Sequence, residues 1–327
     1  RGPAASHRAH VMAWHLQKLA TRAAQPLRGI PAASSRRWNA LQAVATGHAG
    51  SSPLGAVEAV VLPMYPDAVA KDRKQMINAA VASAPKGEVP QVPRGYLQEE
   101  HMMWRAIYRN VSTEAQKYAC NEYKRALFEG VQYREDTIPD IEELNERVER
   151  ITGWKVAPCV GSLPPSRFFM ELEERRMPCT MYIRPHTKYT FTEDPDCVHE
   201  MLGHIPHLFI PSWARLYQAF GRAARRLMES GDSDAYGRLN LMYFAVVEKG
   251  LVRDGPAGEV KAIGASVISG AGELAHALSS PEIHLPLEVD LVMKYGSTNE
   301  DGFMERYFVG EGVDTMADFV IDWMSTL

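Results

Sequence analysis

Three scarcities bound this 327-residue chain. Cysteine is scarce. The four present, Cys120, Cys159, Cys179 and Cys197, are widely spaced and form no CxxC pair. That excludes a disulfide framework and a cysteine-rich zinc module, and reduced thiols in a reducing compartment are expected. Long hydrophobic runs are missing. No stretch approaches the ~20 apolar residues that cross a bilayer, so a soluble protein with no membrane partner is expected. Acidic residues are missing from residues 1–57, which carry seven Lys/Arg and no Asp or Glu. The remaining residues reverse that balance, with 29 Lys/Arg against 40 Asp/Glu. An acidic body excludes nucleic acid as the main partner, because phosphate binding needs a basic surface.

What is present begins with that basic segment. Residues 1–57 are rich in Ala, Ser and Arg and hold a short amphipathic piece around Val11–Leu19. This is the composition of an organellar transit peptide, for plastid or mitochondrion; the alternative is a disordered basic tail without an address, in a cytoplasmic protein. The first residue is Arg rather than Met, so a fragment or a trimmed product is expected.

Folded structure is expected over residues 63–327 as one mainly α (α+β) domain, helical with a few short strands. Helices are predicted over Asp67–Ser83, Glu99–Ala119, Asn121–Gly130 and 137–152. The last has Thr137 and Asp140 at capping-box spacing, an apolar stripe of Ile141, Leu144, Val148 and Ile151, and Gly153 as its stop. Further helices are predicted from Ser212 to Gly231, from Asp232 to about Lys249, over Ile268–Leu278 and over Val313–Met324. Strands are predicted at Trp154–Val160, Cys179–Arg184, Glu288–Met293 and Arg306–Val309. A hairpin is expected from Leu251–Arg253 and Glu259–Ile263.

The chemistry concentrates in residues 184–208. Four of the eleven histidines lie there (His186, His199, His204, His207), with Glu193, Asp194, Asp196 and Glu200. Imidazoles beside carboxylates suit a borderline transition metal. Asp194-Pro195 reads as a helix start. His199 and His204 are five residues apart, not four as in a zinc-protease HExxH helix. On an α-helix five residues turn through ~140°, so the rings would diverge. Both reach one metal only where the helix widens or ends, and Gly203 and Pro206 mark that place. Cys197 reads as a buried small residue rather than a ligand.

A third ligand should be a carboxylate in apolar surroundings. Glu248 ends the run Leu241–Val247, with Leu241, Phe244 and Ala245 on its helical face. A carboxylate there needs a partner, either a metal or a salt bridge to Lys249 or an arginine. Two histidines and a carboxylate leave coordination positions open, a pattern that favours non-haem iron(II) over structural zinc. Arg184 is a candidate fork for a substrate carboxylate, or else a surface ion pair.

Arg184-Pro-His, Tyr189–Asp196 and His199-Glu-Met-Leu-Gly-His204-Ile-Pro together resemble the signature of the pterin-dependent aromatic amino acid hydroxylases. Tyr243–Leu251 and Lys261–Leu274 resemble two further segments of that family, and weaker similarity runs upstream through Glu122-Tyr123, Ile138-Pro139 and Thr152–Leu163. The likeness covers about Pro63 to Leu327. It implies iron, Fe(2+), on His199, His204 and Glu248. It implies a tetrahydropterin (tetrahydrobiopterin or a reduced folate) stacked on Phe168, near Leu163, with Glu200 facing it. It implies Arg184 on the substrate carboxylate, Thr192, Pro195, Phe244 and Ser269 lining the substrate site, and Tyr243 near the iron. The implied reaction uses O2 to hydroxylate an aromatic amino acid. Phe244 stands where many phenylalanine and tyrosine hydroxylases carry Trp, a feature of the tryptophan enzymes. Val309 stands where tyrosine hydroxylases tend to carry an acid. Pro185 after Arg184 and the charged segment after Phe168 depart from the family pattern. The expected order is phenylalanine, then tryptophan, then tyrosine. The family's long C-terminal assembly helix has no counterpart in this sequence, so a monomer or dimer is expected. The alternative of a different class is a zinc hydrolase on the same residues, with Glu200 as general base.

Overall fold

Helix periodicity dominates the chain, and the computed structural model is helical in most of its length. It describes residues 63–190, 192, 194–279, 281–297 and 303–327. The predicted presequence lies outside the described residues. The unit considered below is Tyr65–Leu327.

In chain order the elements are α1 (Asp67–Ser83), α2 (Gln98–Tyr118), α3 (Asn121–Arg125), α4 (Ile141–Thr152), β1 (Lys155–Pro158), α5 (Pro165–Glu173) and β2 (Arg176–Cys179). Then come α6 (Cys197–His199), α7 (Pro211–Ser230), α8 (Ser233–Tyr243), β3 (Leu251–Asp254), β4 (Glu259–Ala262), α9 (Ala265–Ser269) and α10 (Ala271–Leu278). The chain closes with β5 (His284–Pro286), α11 (Val289–Tyr295), β6 (Tyr307–Gly310) and α12 (Val313–Ser325). Three π-helical turns extend α3, α6 and α8: Ala126–Val131, Glu200–His204 and Phe244–Glu248. Among the described residues no helix is long and apolar enough to cross a membrane.

The strands form two small sheets. β1 pairs with β2 in parallel. The other sheet has the order β4-β3-β6-β5, with an antiparallel β3–β4 hairpin and β6 parallel to both of its neighbours. One apolar core joins the elements, and α7 runs through it. Trp213, Leu216, Tyr217, Phe220, Ala224 and Leu227 of α7 are buried, and Gly231 ends the helix at φ 74°. Gly221 lets α7 approach α5. A Cβ there would sit 2.4 Å from the Glu173 backbone nitrogen.

Several expectations need correction. α4 starts at Ile141, and Asp140 caps it by accepting from the Glu142 and Glu143 amides. Thr137 instead bonds the neighbouring Ile138 carbonyl. Ile151 is 53% exposed, because the stripe rotates out of the core by the last turn. The predicted strand Cys179–Arg184 ends where it was meant to begin. Beyond Cys179 the chain is buried on every side, so alternation has no exposed face to register, and its backbone bonds singly, to Tyr96 at Met181 and to the Cys197 amide at Tyr182. Glu288–Met293 belongs to a helix, α11, because Val292 and Gly296 close i→i−4 bonds there. β5 was not foreseen; three residues are too few for a period.

Candidate metal centre

The helix that carries the two histidines starts two residues later than Asp194 suggests. Asp196 is its N-cap, accepting from the His199 amide at 3.1 Å. The helix then widens at once. The Ile205 amide bonds the Glu200 carbonyl, five residues back. Pro206 has no N–H to give the Leu202 carbonyl, and Tyr123 donates to it instead. Tyr133 donates to the Met201 carbonyl at 2.9 Å. These two phenols satisfy carbonyls that an α-helix would have paired. With i→i+5 closure a five-residue step returns close to the same face, so His199 and His204 now converge. Their Nε2 atoms are 3.0 Å apart. Gly203 is required at the contact, where a Cβ would lie 2.9 Å from Ala265.

Glu248 arrives by the same device. The Lys249 amide bonds the Phe244 carbonyl, which makes Phe244–Glu248 a π turn. Glu248 Oε1 lies 3.1 Å from His204 Nε2, and Oε2 lies 3.7 Å from His199 Nε2. Ser266 donates to Oε2 at 2.8 Å. The salt-bridge alternative through Lys249 is settled, since Lys249 pairs at 2.5 Å with buried Glu273, which also accepts from Tyr307. Glu200 also offers a carboxylate oxygen within 4.8 Å of both imidazoles.

Three donors spaced in this way fit one metal ion. Two ligands ~2.1 Å from an ion and at a right angle to each other stand about 3.0 Å apart, whereas a tetrahedral angle would separate them by about 3.4 Å. The two contacts of His204, 3.0 and 3.1 Å, match the right-angled case, while Glu248 Oε2 stands farther from His199, at 3.7 Å. Protonation agrees. Burial lowers the His199 imidazole to about 4, keeping its lone pair free. Burial opposes ionisation of Glu248, but the adjacent His204 and His199 and the Ser266 hydroxyl hold it well below the usual range. His204 is lifted above its ordinary value by Glu248 in spite of burial. Ser269 also orients His199. Its hydroxyl donates to the Ala265 carbonyl at 2.8 Å, so it accepts from His199 Nδ1 at 3.1 Å and leaves Nε2 bare.

Around this centre the predicted residues are placed in different ways. Ser269 and Glu200 touch or adjoin the donor set. Burial pushes Glu200 up to about 8, so its carboxyl is largely protonated at neutral pH. Arg184 joins through Asp196. It is 4% exposed, so it is no surface ion pair. Its Nε and Nη2 grip Asp196 at 2.9 and 2.7 Å, which leaves the other guanidinium edge to face elsewhere. Phe168 joins through aromatic contact. Its ring stands 5.5 Å, edge to face, from Tyr243, which Phe169 and Phe220 also pack. The Tyr243 hydroxyl is buried and makes no hydrogen bond among the described residues. Phe244 is half-buried, with Lys249 Nζ 5.4 Å from its ring centre. Pro195 accepts from Tyr182 at 2.7 Å, and Thr192 bonds the Asp194 carbonyl at 3.0 Å. Leu163 lines a separate groove with Cys159 and Arg167. Cys197 is fully buried, and burial raises its thiol well above the usual range.

Sequence reasoning missed Asp196 as the holder of Arg184, Ser266 beside Glu248, and Tyr217. His204 Nδ1 lies 2.8 Å from Tyr217 Oη. Tyr217 was legible only as one more apolar-face residue of α7, four beyond Trp213.

Known proteins give this geometry a family. The model of the biopterin-dependent aromatic amino acid hydroxylases matches residues 56–327. The chain is 33% identical over 266 residues to a chloroplastic phenylalanine 4-monooxygenase of Chlamydomonas reinhardtii, covering 79% of this chain and 70% of that protein. It is 29% identical over 270 residues to a tyrosine 3-monooxygenase of Schistosoma mansoni, covering 81% of this chain and 56% of that one, so it spans little more than half of such relatives. A crystal structure of Chromobacterium violaceum phenylalanine hydroxylase with bound iron(III) and 7,8-dihydrobiopterin superposes with a TM-score of 0.66 at 26% identity, covering 80% of this chain and 92% of that one. The zinc-hydrolase alternative is thereby set aside: this chain belongs to the biopterin-dependent aromatic amino acid hydroxylase family.

Proposed function

We propose that the chain is a non-haem iron monooxygenase that hydroxylates the ring of an aromatic amino acid, with phenylalanine the preferred substrate and tyrosine the product. The observation that carries this is the convergence of His199, His204 and Glu248, with His204 Nε2 3.0 Å from His199 and 3.1 Å from Glu248, in a member of this family. Bound there, iron(II) with a tetrahydropterin supplies the activation of O2.

The protein's own part is to hold, orient and exclude. His199 and His204 each turn Nε2 to the metal, which takes the place of the proton His204 shares with Glu248, and Glu248 supplies the negative charge that a dication needs. Asp196 caps the histidine helix and grips Arg184, so one carboxylate sets the position of both the metal ligand and the substrate-binding guanidinium. The free edge of Arg184 is suited to the substrate carboxylate. Phe168 offers a flat face to a pterin, and Glu200 offers it a hydrogen-bonding carboxyl. Phe244, Pro195, Thr192 and Ser269 form the wall that meets the aromatic ring. The pterin is tetrahydrobiopterin or a reduced folate.

Support for phenylalanine comes from the plastid and bacterial phenylalanine enzymes among the relatives; tyrosine enzymes stand beside them at similar identity. The test is to load the protein anaerobically with iron(II), mix it with tetrahydropterin, O2 and each of phenylalanine, tyrosine and tryptophan, and identify the products. Tyrosine formed fastest from phenylalanine is the expected result; exclusive dopa or hydroxytryptophan would reassign the substrate. We also propose that residues 1–57 direct import into a plastid, in keeping with the chloroplastic relatives. A fluorescent protein fused behind residues 1–57 should enter the organelle; cytoplasmic fluorescence would reject the address.

A further inference from the structure

Behind His204 lies a buried tyrosine–histidine pair that the chemistry above does not use. Tyr217 Oη is 2.8 Å from His204 Nδ1 and 2.9 Å from His207 Nδ1. His207 Nε2 is 2.7 Å from the Ile263 carbonyl oxygen. Both His207 and Tyr217 are fully buried, and the indole of Trp213 packs on His207.

The hydrogens in this chain follow from what each group can offer. A carbonyl oxygen only accepts, so His207 Nε2 carries a proton and donates it. A neutral, buried His207 then has a bare Nδ1. Tyr217 owns one hydroxyl hydrogen, and the bare nitrogen takes it. Tyr217 has only a lone pair left for His204, so His204 Nδ1 must carry the proton. Its Nε2 is then the nitrogen turned to the centre, 3.1 Å from Glu248 and 3.0 Å from His199 Nε2, where a bound metal takes the place of a proton shared with Glu248. The opposite tautomer would turn a lone pair on a lone pair, or strip His207 of its donor inside the core.

We infer that Tyr217 and His207 are positioning residues, a hydrogen-bond relay anchored on the Ile263 carbonyl that locks His204 in the tautomer whose free nitrogen faces the metal. The inference rests on the metal reading proposed above. The two imidazoles are therefore aimed by different means. His199 leans on a single serine hydroxyl, whereas His204 leans on two aromatic side chains in series.

The test uses the full chain, labelled with ¹⁵N-histidine, and begins without metal. At a pH high enough to remove the proton that His204 Nε2 shares with Glu248, NMR should show His204 protonated at Nδ1 and bare at Nε2 in the wild type. In His207→Leu the Tyr217 hydroxyl is released to donate to His204, and a fraction of the His204 protons should move to Nε2. Cobalt(II) affinity, read by chelator competition, should fall about 10-fold in His207→Leu and 10–100-fold in Tyr217→Phe. The double variant should bind no more weakly than Tyr217→Phe alone, since one relay is broken once. His207→Asn keeps an acceptor for Tyr217 at the Nδ1 position, though its amide is too short to reach the Ile263 carbonyl, and should restore both tautomer and affinity relative to His207→Leu; it carries the decision should Tyr217→Phe fail to fold. An unchanged His204 tautomer in His207→Leu, affinity within twofold of wild type, or losses that multiply in the double variant would overturn the relay. The NMR readout needs neither iron nor turnover, so a protein that keeps the tautomer yet hydroxylates nothing sinks the proposed function and leaves the relay standing.

Discussion

The turns Glu200–His204 and Phe244–Glu248 are the same length, are both π-helical, and both end on a donor to the centre. They treat their carboxylates in opposite ways. Glu200 opens its turn, and burial drives it towards the protonated form at about 8. Glu248 closes its turn, and two imidazoles and a serine hydroxyl keep it ionised. The widened backbone aims the side chains, while the groups they meet set their charge. In the metal-free protein two acids a few ångströms apart are thus driven in opposite directions, one towards the anion and one towards the neutral carboxyl.

The largest expected effect removes the ionised member. Glu248→Gln should lower iron affinity by more than about 100-fold, beyond what outer residues cost, and abolish turnover. Metal content after dialysis checks it; a variant that keeps stoichiometric iron breaks the contrast. Next comes the first turn itself. Gly203→Ala would drive a Cβ to 2.9 Å from Ala265 and should cost about 1–3 kcal/mol in urea unfolding while spreading the two imidazoles. A neutral effect would mean that the close approach is unimportant. Arg184→Lys keeps charge but loses the fork, and amino acid binding should weaken by about 2 kcal/mol, read by calorimetry on the iron-loaded protein.

The smallest effect sharpens the other carboxylate. A carboxyl raised from the usual 4.5 to about 8 binds more protons folded than unfolded between those values. Stability therefore declines as pH rises through that window. In metal-free protein Glu200→Gln should be more stable than wild type by about 1–2 kcal/mol at pH 8.5, with the gap closing near pH 4.5. A gap that grows towards acid pH would reverse the assignment.

Much of this was legible because it repeats. The stripe of α7 and its Gly231 stop, the Asp67–Ser83 helix and the β3–β4 hairpin follow from period and turn residues. The widened helix was legible from five-residue spacing with Gly203 and Pro206. The tyrosines that hold it open were not, because Tyr123 and Tyr133 lie some 70 to 80 residues upstream and look like ordinary core. Asp196 hid for a different reason. Asp194-Pro195 offers a better local cap, and only the buried guanidinium of Arg184 makes the later aspartate win. His207 was visible as a histidine, but its partners sit on α7 and before α9, beyond any local pattern.

Ser266 and Ser269 have a temporal consequence. They orient Glu248 and His199 yet follow the last donor by 18 residues or more. His199, His204 and Glu248 are therefore made before the two hydroxyls that aim two of them. A chain that stops at Gly250 carries the imidazoles and the carboxylate without those hydroxyls. The complete arrangement needs Gly264 closed against the Glu248 carbonyl, where a Cβ would stand only 2.5 Å away.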